Sequence, residues 1–216
     1  MAVRDKSNLE IKRVGVYVDG FNLYHGLREL GRRRLLWLDL RSMITRVLRP
    51  HQRLETLNYF TAAIRNDPPA IARQEVYLAA LESVGVTVVL GRFQEQLVRC
   101  RACGHTRLVY AEKQSDVAIG TTMVADVACG KVDVVMLVSA DSDLCAAVRT
   151  IRRIDSERAT KTRVITVFPP RRRSDSLRVV SDAWFPLGDA VIRQSQLPAI
   201  VRGAGGHVYR RPAYWN

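Results

Sequence analysis

Two apolar runs that each end in aspartate constrain this chain more than any other feature. "RVGVYVDG" (Arg13 to Gly20) is apolar almost without interruption until Asp19. "VDVVMLVSADSDL" (Val132 to Leu144) is apolar from Val134 to Val138 and then meets Ser139, Asp141 and Asp143. A strand without polar alternation must be covered on both faces, the condition of a central strand in a parallel sheet. Parallel neighbours are joined only by crossovers, so helices and further strands are expected between the runs.

The intervening sequence is punctuated accordingly. "FNLYHGLREL" carries Phe21, Leu23, Tyr24, Leu27 and Leu30 at helical spacing. "LDLRSMITRVLRP" is a second helix, with Asp39 as its cap and Pro50 as its stop. "LETLNYFTA" is strand-like, "DPPAIARQEVYLAALESVG" is a helix closed by Gly85, and "VTVVLGRF" is a third strand. Residues 92–113 break the alternation and read as a hairpin with "CRACGH" at its tip. "SDVAIGTTMVADVACG" is a helix expected to be capped by Ser115 and ended by Gly130. After the fourth strand come a helix, "SDLCAAVRTIRRID", and a fifth strand, "TRVITVFPP". "SLRVVSDAWFPLGDAVIRQ" then gives a short helix, an extended piece and a last helical turn.

The expected class is α/β: a Rossmann-like, mostly parallel sheet flanked by helices, with right-handed crossovers and a small β-hairpin insertion. Residues 13–193 form the expected domain, after an extension of residues 1–12. Residues 194–216 have glycine, arginine and aromatics without periodicity and are expected to form a flexible tail.

The net charge of +13 favours a polyanionic partner, nucleic acid before an acidic membrane surface. Arginine bias from a GC-rich genome is the plainer source of the same charge. No run of about 18 apolar residues is present, so no membrane span is expected. "MAVRDKSNLEIKR" lacks the apolar core of a signal peptide, and the expected location is cytoplasmic. There, the cysteines at 100, 103, 129 and 145 are expected as reduced thiols or metal ligands rather than disulfides.

Ligands of open α/β sheets bind outside the carboxyl ends of the strands. Asp19 closes the first strand, and Asp141 with Asp143 closes the fourth. Asp116 opens the preceding helix, and topology alone does not assign it to that edge; it joins only if the hairpin returns the chain there. Each residue also has a plain reading: Asp19-Gly20 as a turn, Asp116 with Ser115 as a plain cap, Asp143 as a cap of the helix that follows it. If the four carboxylates converge, they need cations between them. Hard oxygen ligands in an open site suit Mg²⁺ or Mn²⁺, which polarise a phosphoryl oxygen and activate water for phosphodiester hydrolysis. Lys113 is then a candidate phosphate contact, Asn22 a candidate to orient a ligand or water, and Ser139 a hydroxyl at the strand end. Arginines cluster at 32–34, 152–153 and 171–173. The last cluster follows the fifth strand, so Arg171, Arg172 and Arg173 are the preferred substrate contacts.

Three stretches together resemble the NYN family, nuclease-like domains related to PIN domains: "VYVDGFNLYHG", "EKQSDVAIGTTMVADV" and "DVVMLVSADSDLCAAVR". In order and spacing they cover roughly residues 13 to 168. The resemblance implies a PIN-like fold. It also implies divalent-metal binding by the first-strand aspartate, the aspartate opening the central helix and the aspartate pair after the next strand. These fall on Asp19, Asp116, Asp141 and Asp143, which supplies the topology missing for Asp116. The implied activity is a metal-dependent endoribonuclease acting on single-stranded or structured RNA. A rival of another class keeps the fold and acts as an RNA-binding or regulatory module with little or no cleavage; a metal-dependent cleavage assay separates the two. A haloacid-dehalogenase-like phosphatase would need an aspartate where Phe21 stands, and a receiver domain would need an acidic pair that does not end the first strand.

Cys100 and Cys103, with His105, have the spacing of a zinc half-site. A structural Zn²⁺ centre needs four ligands, so a second subunit could complete it, and a homodimer is a candidate assembly. Cys129 and Cys145 are expected as small buried hydrophobes, and His25 on a helix surface near the site. In the tail, Tyr209, Tyr214 and Trp215 stand among arginines as candidates to stack on unpaired bases.

Overall fold

A computed structural model describes residues 10–31, 33–99 and 102–215 of the protein. β1 (Lys12–Asp19) runs into α1 (Gly20–Gly31), and α2 (Leu40–Val47) precedes β2 (Gln52–Ala62). α3 (Pro68–Ser83) leads to β3 (Thr87–Arg99), which turns back as β4 (Thr106–Lys113). α4 (Ser115–Ala128), β5 (Val134–Val138), α5 (Cys145–Arg158) and β6 (Arg163–Phe168) continue the alternation. α6 (Asp175–Val180), β7 (Ala183–Pro186) and α7 (Asp189–Gln194) complete it, and β8 (Ile200–Arg202) and β9 (Val208–Arg210) form a separate hairpin.

The main sheet has the order β4-β3-β2-β1-β5-β6-β7. Every pair is parallel except β3–β4, so the expected α/β class with a mostly parallel sheet is what the chain forms. From β1 the chain winds outward to β2 and β3 on one side, then returns to β5 and winds to β6 and β7 on the other. The reversal lies between β1 and β5, the topological switch point at which such sheets bind ligands.

Alternate strand residues feed two cores, as the period of two demands. Val14, Val16, Val18, Met136 and Val138 face α1, α2, α3 and α7, whereas Tyr17, Val135 and Leu137 face α4, α5 and α6. The helix ends follow their expected signals. The Asp39 carboxylate accepts the Ser42 N–H at 2.9 Å, and that of Asp67 accepts the Ala70 N–H at 2.9 Å. Beyond α4, Gly130 takes the left-handed φ of 64° that favours glycine.

Three expectations are corrected. Ser115 is not the cap of α4: Gln114 occupies that position with a left-handed φ of 85°, and Ser115 is the first helical residue. Cys129 is exposed at the end of α4, because the helix turns that position outward, while Cys145 is buried as expected. The segment after residue 194 is not a loose tail. β8 and β9 pair from Ile200↔Arg210 to Arg202↔Val208, and Trp215 is only 8% exposed. Its ring lies 6.2 Å from Trp37 and 5.7 Å from Tyr77. Leu197 N–H donates to Trp37 O at 2.9 Å and the Trp37 indole N–H to Pro198 O at 2.8 Å, so aperiodic sequence is held by long-range contacts.

At the amino edge Arg13 grips Asp133 through its backbone N–H at 2.8 Å, Nε at 3.0 Å and a terminal nitrogen at 2.8 Å. This joins the starts of the two central strands. The Arg13 side chain is the main cause that lowers the Asp133 carboxyl pKa from its ordinary 3.8. A depressed folded-state pKa adds stability above the unfolded value, and that contribution is lost as pH falls through the folded value. Urea unfolding of Asp133→Asn followed from pH 7 downward should therefore show a shallower acid loss than wild type; an identical acid limb would remove this pair from the acid response.

Candidate active site

The carboxyl edge assembles around Asp19. Val18 stands opposite Val138, so Asp19 and Ser139 leave β1 and β5 side by side at the switch point. Asp19 is 4% exposed and Ser139 fully buried. One Asp19 oxygen, Oδ1, accepts the backbone N–H groups of Phe21 at 3.1 Å and Asn22 at 3.0 Å, which caps α1. The other, Oδ2, accepts the Asn22 side-chain amide at 2.8 Å and the Ser139 hydroxyl at 2.7 Å. Ser139 Oγ in turn accepts the Asp141 N–H at 3.0 Å, so one hydroxyl couples the two strand ends. Four donors account for the acceptor capacity of Asp19. Asn22 and Ser139 thus position the buried carboxylate.

Gly20 is required by close approach. A Cβ there would stand 2.6 Å from Phe60 O and 2.7 Å from the Tyr59 ring. The missing side chain lets α1 begin directly on β2 and keeps Asp19 at the edge. Gly26 plays the same part at the next turns, where a Cβ would meet Pro170 O at 2.7 Å. α1 therefore lies against the loop that follows β6.

Asp141 caps the single 3-10 turn Ser142–Leu144 by accepting the Asp143 N–H through Oδ1 at 2.9 Å. Asp141 is half-buried and Asp143 exposed. The cap is Asp141; Asp143 was the residue for which the sequence offered that role.

The hairpin decides where Asp116 stands. Gly91 pairs with Ala62 at the carboxyl end of β2, and the next residue, Arg92, pairs with Lys113. β3 thus runs on past the sheet, β4 comes back, and α4 starts at the same edge with Asp116 in its first turn. α4 then descends along the sheet, where the Tyr17 hydroxyl donates to Asp126 at 2.8 Å. Burial, then that hydrogen bond, push the Tyr17 phenol pKa above its ordinary 10.0.

The four aspartates share one edge, but they do not form a closed cage. Among the described residues no three His, Cys, Asp or Glu side chains are grouped closely enough to hold an ion. The donor set is nonetheless all oxygen and partly open to solvent. Mg²⁺ keeps several waters and is usually held by one or two carboxylates plus substrate phosphates, so the chemistry of the set fits that ion or Mn²⁺. The side chain of Lys113 lies outside the described residues.

The arginines separate. Arg172 pairs with Glu29 on α1, and Arg173 pairs with Asp175 at 3.3 Å. Arg171 is exposed and has no ion-pair partner among the described residues. Arg152 is tied to Asp182 at 2.6 Å and to Thr162 O at 2.7 Å near the start of β6, so it serves the opposite edge. Arg32 and Cys100 lie outside the described residues; Cys103 and His105 are exposed at the hairpin tip. His25 lies between Phe21 and Tyr24, with ring centroids at 5.2 and 5.4 Å.

The sequence reading missed a cavity of about 320 Å³ that opens beside Asp19. Gly20, Phe21 and Tyr24 of α1, Ala62 at the end of β2, Arg65, Arg73 of α3, and Tyr214 with Trp215 contribute to its wall. Tyr214 and Arg33 were visible only as members of separate clusters, and nothing in the sequence tied Arg65 or Arg73 to them. At its floor Tyr77 donates to Leu38 O at 2.9 Å, and burial raises its phenol pKa well above 10.0. Trp215, a stacking candidate by sequence, is buried here as part of the wall.

Known proteins agree with this architecture. A solved structure of a protein of unknown function from Vibrio parahaemolyticus superposes with a TM-score of 0.57 at 23% identity, over 86% of this chain and 98% of that one. No curated protein matches the sequence. The model of the NYN domain matches residues 13–187, which include all but the first residue of the seven-stranded sheet and its switch point. The chain belongs to the NYN domain family.

Proposed function

We propose that the protein is a divalent-metal-dependent endoribonuclease that hydrolyses single-stranded or structured RNA at the β1–β5 edge. NYN domains are PIN-like and generally nucleases, which sets the reaction class. One observation carries the assignment to this edge. Asp19 and the Ser139–Asp143 segment meet at the switch point, and β4 starts the helix of Asp116 at the same edge.

Asp19, Asp116, Asp141 and Asp143 would hold Mg²⁺ or Mn²⁺, one or two of them directly and the others through water. When bound, such an ion neutralises developing phosphoryl charge and lowers the pKa of bound water. The chain supplies the rest. Asn22 and Ser139 fix Asp19 in one orientation, so the edge needs little rearrangement on binding. Arg171, exposed in the loop after β6, would meet phosphates of the strand, and the net charge of +13 favours polyanions at the surface. The second reading, an RNA-binding module without cleavage, is favoured by the saturated hydrogen bonding of Asp19 and the open spacing of the carboxylates.

The test is incubation of the purified protein with labelled single-stranded and duplex RNA and DNA, in Mn²⁺ and in chelator. Cleavage of RNA in Mn²⁺ alone is expected. Cleavage that persists in chelator would overturn the metal mechanism, and binding without cleavage in any metal would establish the second reading. No described helix is long and apolar enough to cross a membrane.

A further inference from the structure

We infer that the cavity beside Asp19 receives one unpaired nucleobase of a single strand whose phosphate lies at the carboxyl edge, an inference that rests on the nucleic-acid reading of that edge. Position is the first argument. Gly20 and Phe21 follow Asp19 directly in the chain and line the cavity, so it opens where β1 ends and α1 begins. Size is the second: about 320 Å³ falls in the range of small-ligand pockets, roughly 300–1,000 Å³.

Chemistry decides between occupants. Phe21 and Tyr24 are 44% and 39% exposed although each is a large ring on the cavity wall. Exposed rings around a concave apolar site are the stacking platform used for unpaired bases. Arg33, Arg65 and Arg73 line the same cavity, no described carboxylate does, and none of the three is ion-paired with a described residue. The Arg33 and Arg73 guanidiniums lie 3.7 and 4.4 Å from the centre of the Tyr214 ring. Tyr214 thereby holds two cations at the cavity, where a sugar–phosphate backbone would pass. An acidic or purely apolar partner would not use both features at once.

The cavity also predicts weak base discrimination. Gln74 spends its amide on Ala62 O at 2.9 Å and its carbonyl on the Ile64 N–H at 2.8 Å, and the Tyr77 hydroxyl is spent on Leu38 O. With Gln74 and Tyr77 engaged, neither reads a base edge, and stacking carries more of the affinity. A duplex cannot offer a base without unpairing it.

The experiment measures binding by fluorescence anisotropy in chelator, using a short labelled single strand of RNA, the same sequence as DNA, and the RNA duplex. Two variants are compared with wild type: Tyr24→Ala, which removes an exposed stacking face, and Ala70→Phe, which fills the cavity from α3 without changing charge. Each should weaken single-strand binding about tenfold and leave duplex binding unchanged. Comparison of RNA with DNA shows whether the sugar contributes beyond the base. Wild-type affinity in both folded variants, equal losses for single strand and duplex, or no single-strand binding by wild type would each overturn the pocket. Failure of the two proposals is distinguishable. Binding in this pattern with no cleavage in Mn²⁺ keeps the pocket and removes the nuclease, whereas cleavage indifferent to both substitutions keeps the nuclease and removes the pocket.

Discussion

Asp141→Asn should lower metal-dependent cleavage about a thousandfold, equivalent to about 4 kcal/mol of barrier, with fold and strand binding kept. The geometry makes this substitution clean. Asp141 Oδ1 caps the 3-10 turn by accepting the Asp143 N–H at 2.9 Å, and an amide oxygen can accept the same bond. The half-buried side chain keeps its shape and loses only the charge that a cation requires. Asp19→Asn would be a poorer test. All four donors around Asp19 point inward, so an amide nitrogen would face a donor and leave polar groups unpaired, at about 1–3 kcal/mol each. The measurement compares wild type and Asp141→Asn on one labelled RNA, in Mn²⁺ and in chelator, beside metal-free melting. Melting should be equal or higher in the variant, because one of several negative charges on the same edge is gone. A variant as active as wild type would sink the role assigned to Asp141.

Trp215→Ala should cost about 3–5 kcal/mol, the usual penalty for truncating a buried Trp. In a chain of 216 residues that corresponds to a fall of roughly 6–20 °C in melting temperature. The indole is 8% exposed and packs on Trp37 and Tyr77, whose own core joins α2, α3 and the β1 side of the sheet. A substitution at the penultimate position of the sequence would have little effect on a chain whose last segment was loose. Thermal unfolding followed by circular dichroism measures the difference directly. An unchanged melting temperature would mean that the segment does not pack as the structure has it. Because Trp215 also walls the cavity beside Asp19, the same variant should weaken single-strand binding.

Local chemistry was legible in the sequence wherever it acts over a few residues. Asp39 and Asp67 start their helices through side-chain bonds to residues three positions on, and Gly130 ends α4 because its φ is positive. The apolar runs of β1 and β5 announced central strands because burial on both faces excludes polar alternation. The aspartates at their ends were equally visible, since ligand sites of such sheets follow strand termini. Cap assignment at α4 failed because Ser115 matches the usual cap residue types, yet the left-handed turn at Gln114 places it one position inside the helix.

What the sequence could not hold were pairings between distant residues. The side of the sheet on which Asp116 stands depends on β3 running past Ala62 and on β4 returning from it, a matter of strand register. The cavity gathers α1, the end of β2, α3 and the last residues of the chain, and Tyr214 meets Arg33 and Arg73 only after folding. Trp215 carries no periodic signal, because its burial comes from two aromatic rings far away in sequence. The sequence by itself determined the fold class and the carboxylates Asp19, Asp141 and Asp143, since these rest on local periodicity and on residues at strand ends, while the resemblance of three stretches gave the family and Asp116. The tertiary structure alone decided their common edge, the hydrogen bonds that hold Asp19 and the aromatic cavity beside it, because each depends on contacts that close only when distant segments pack.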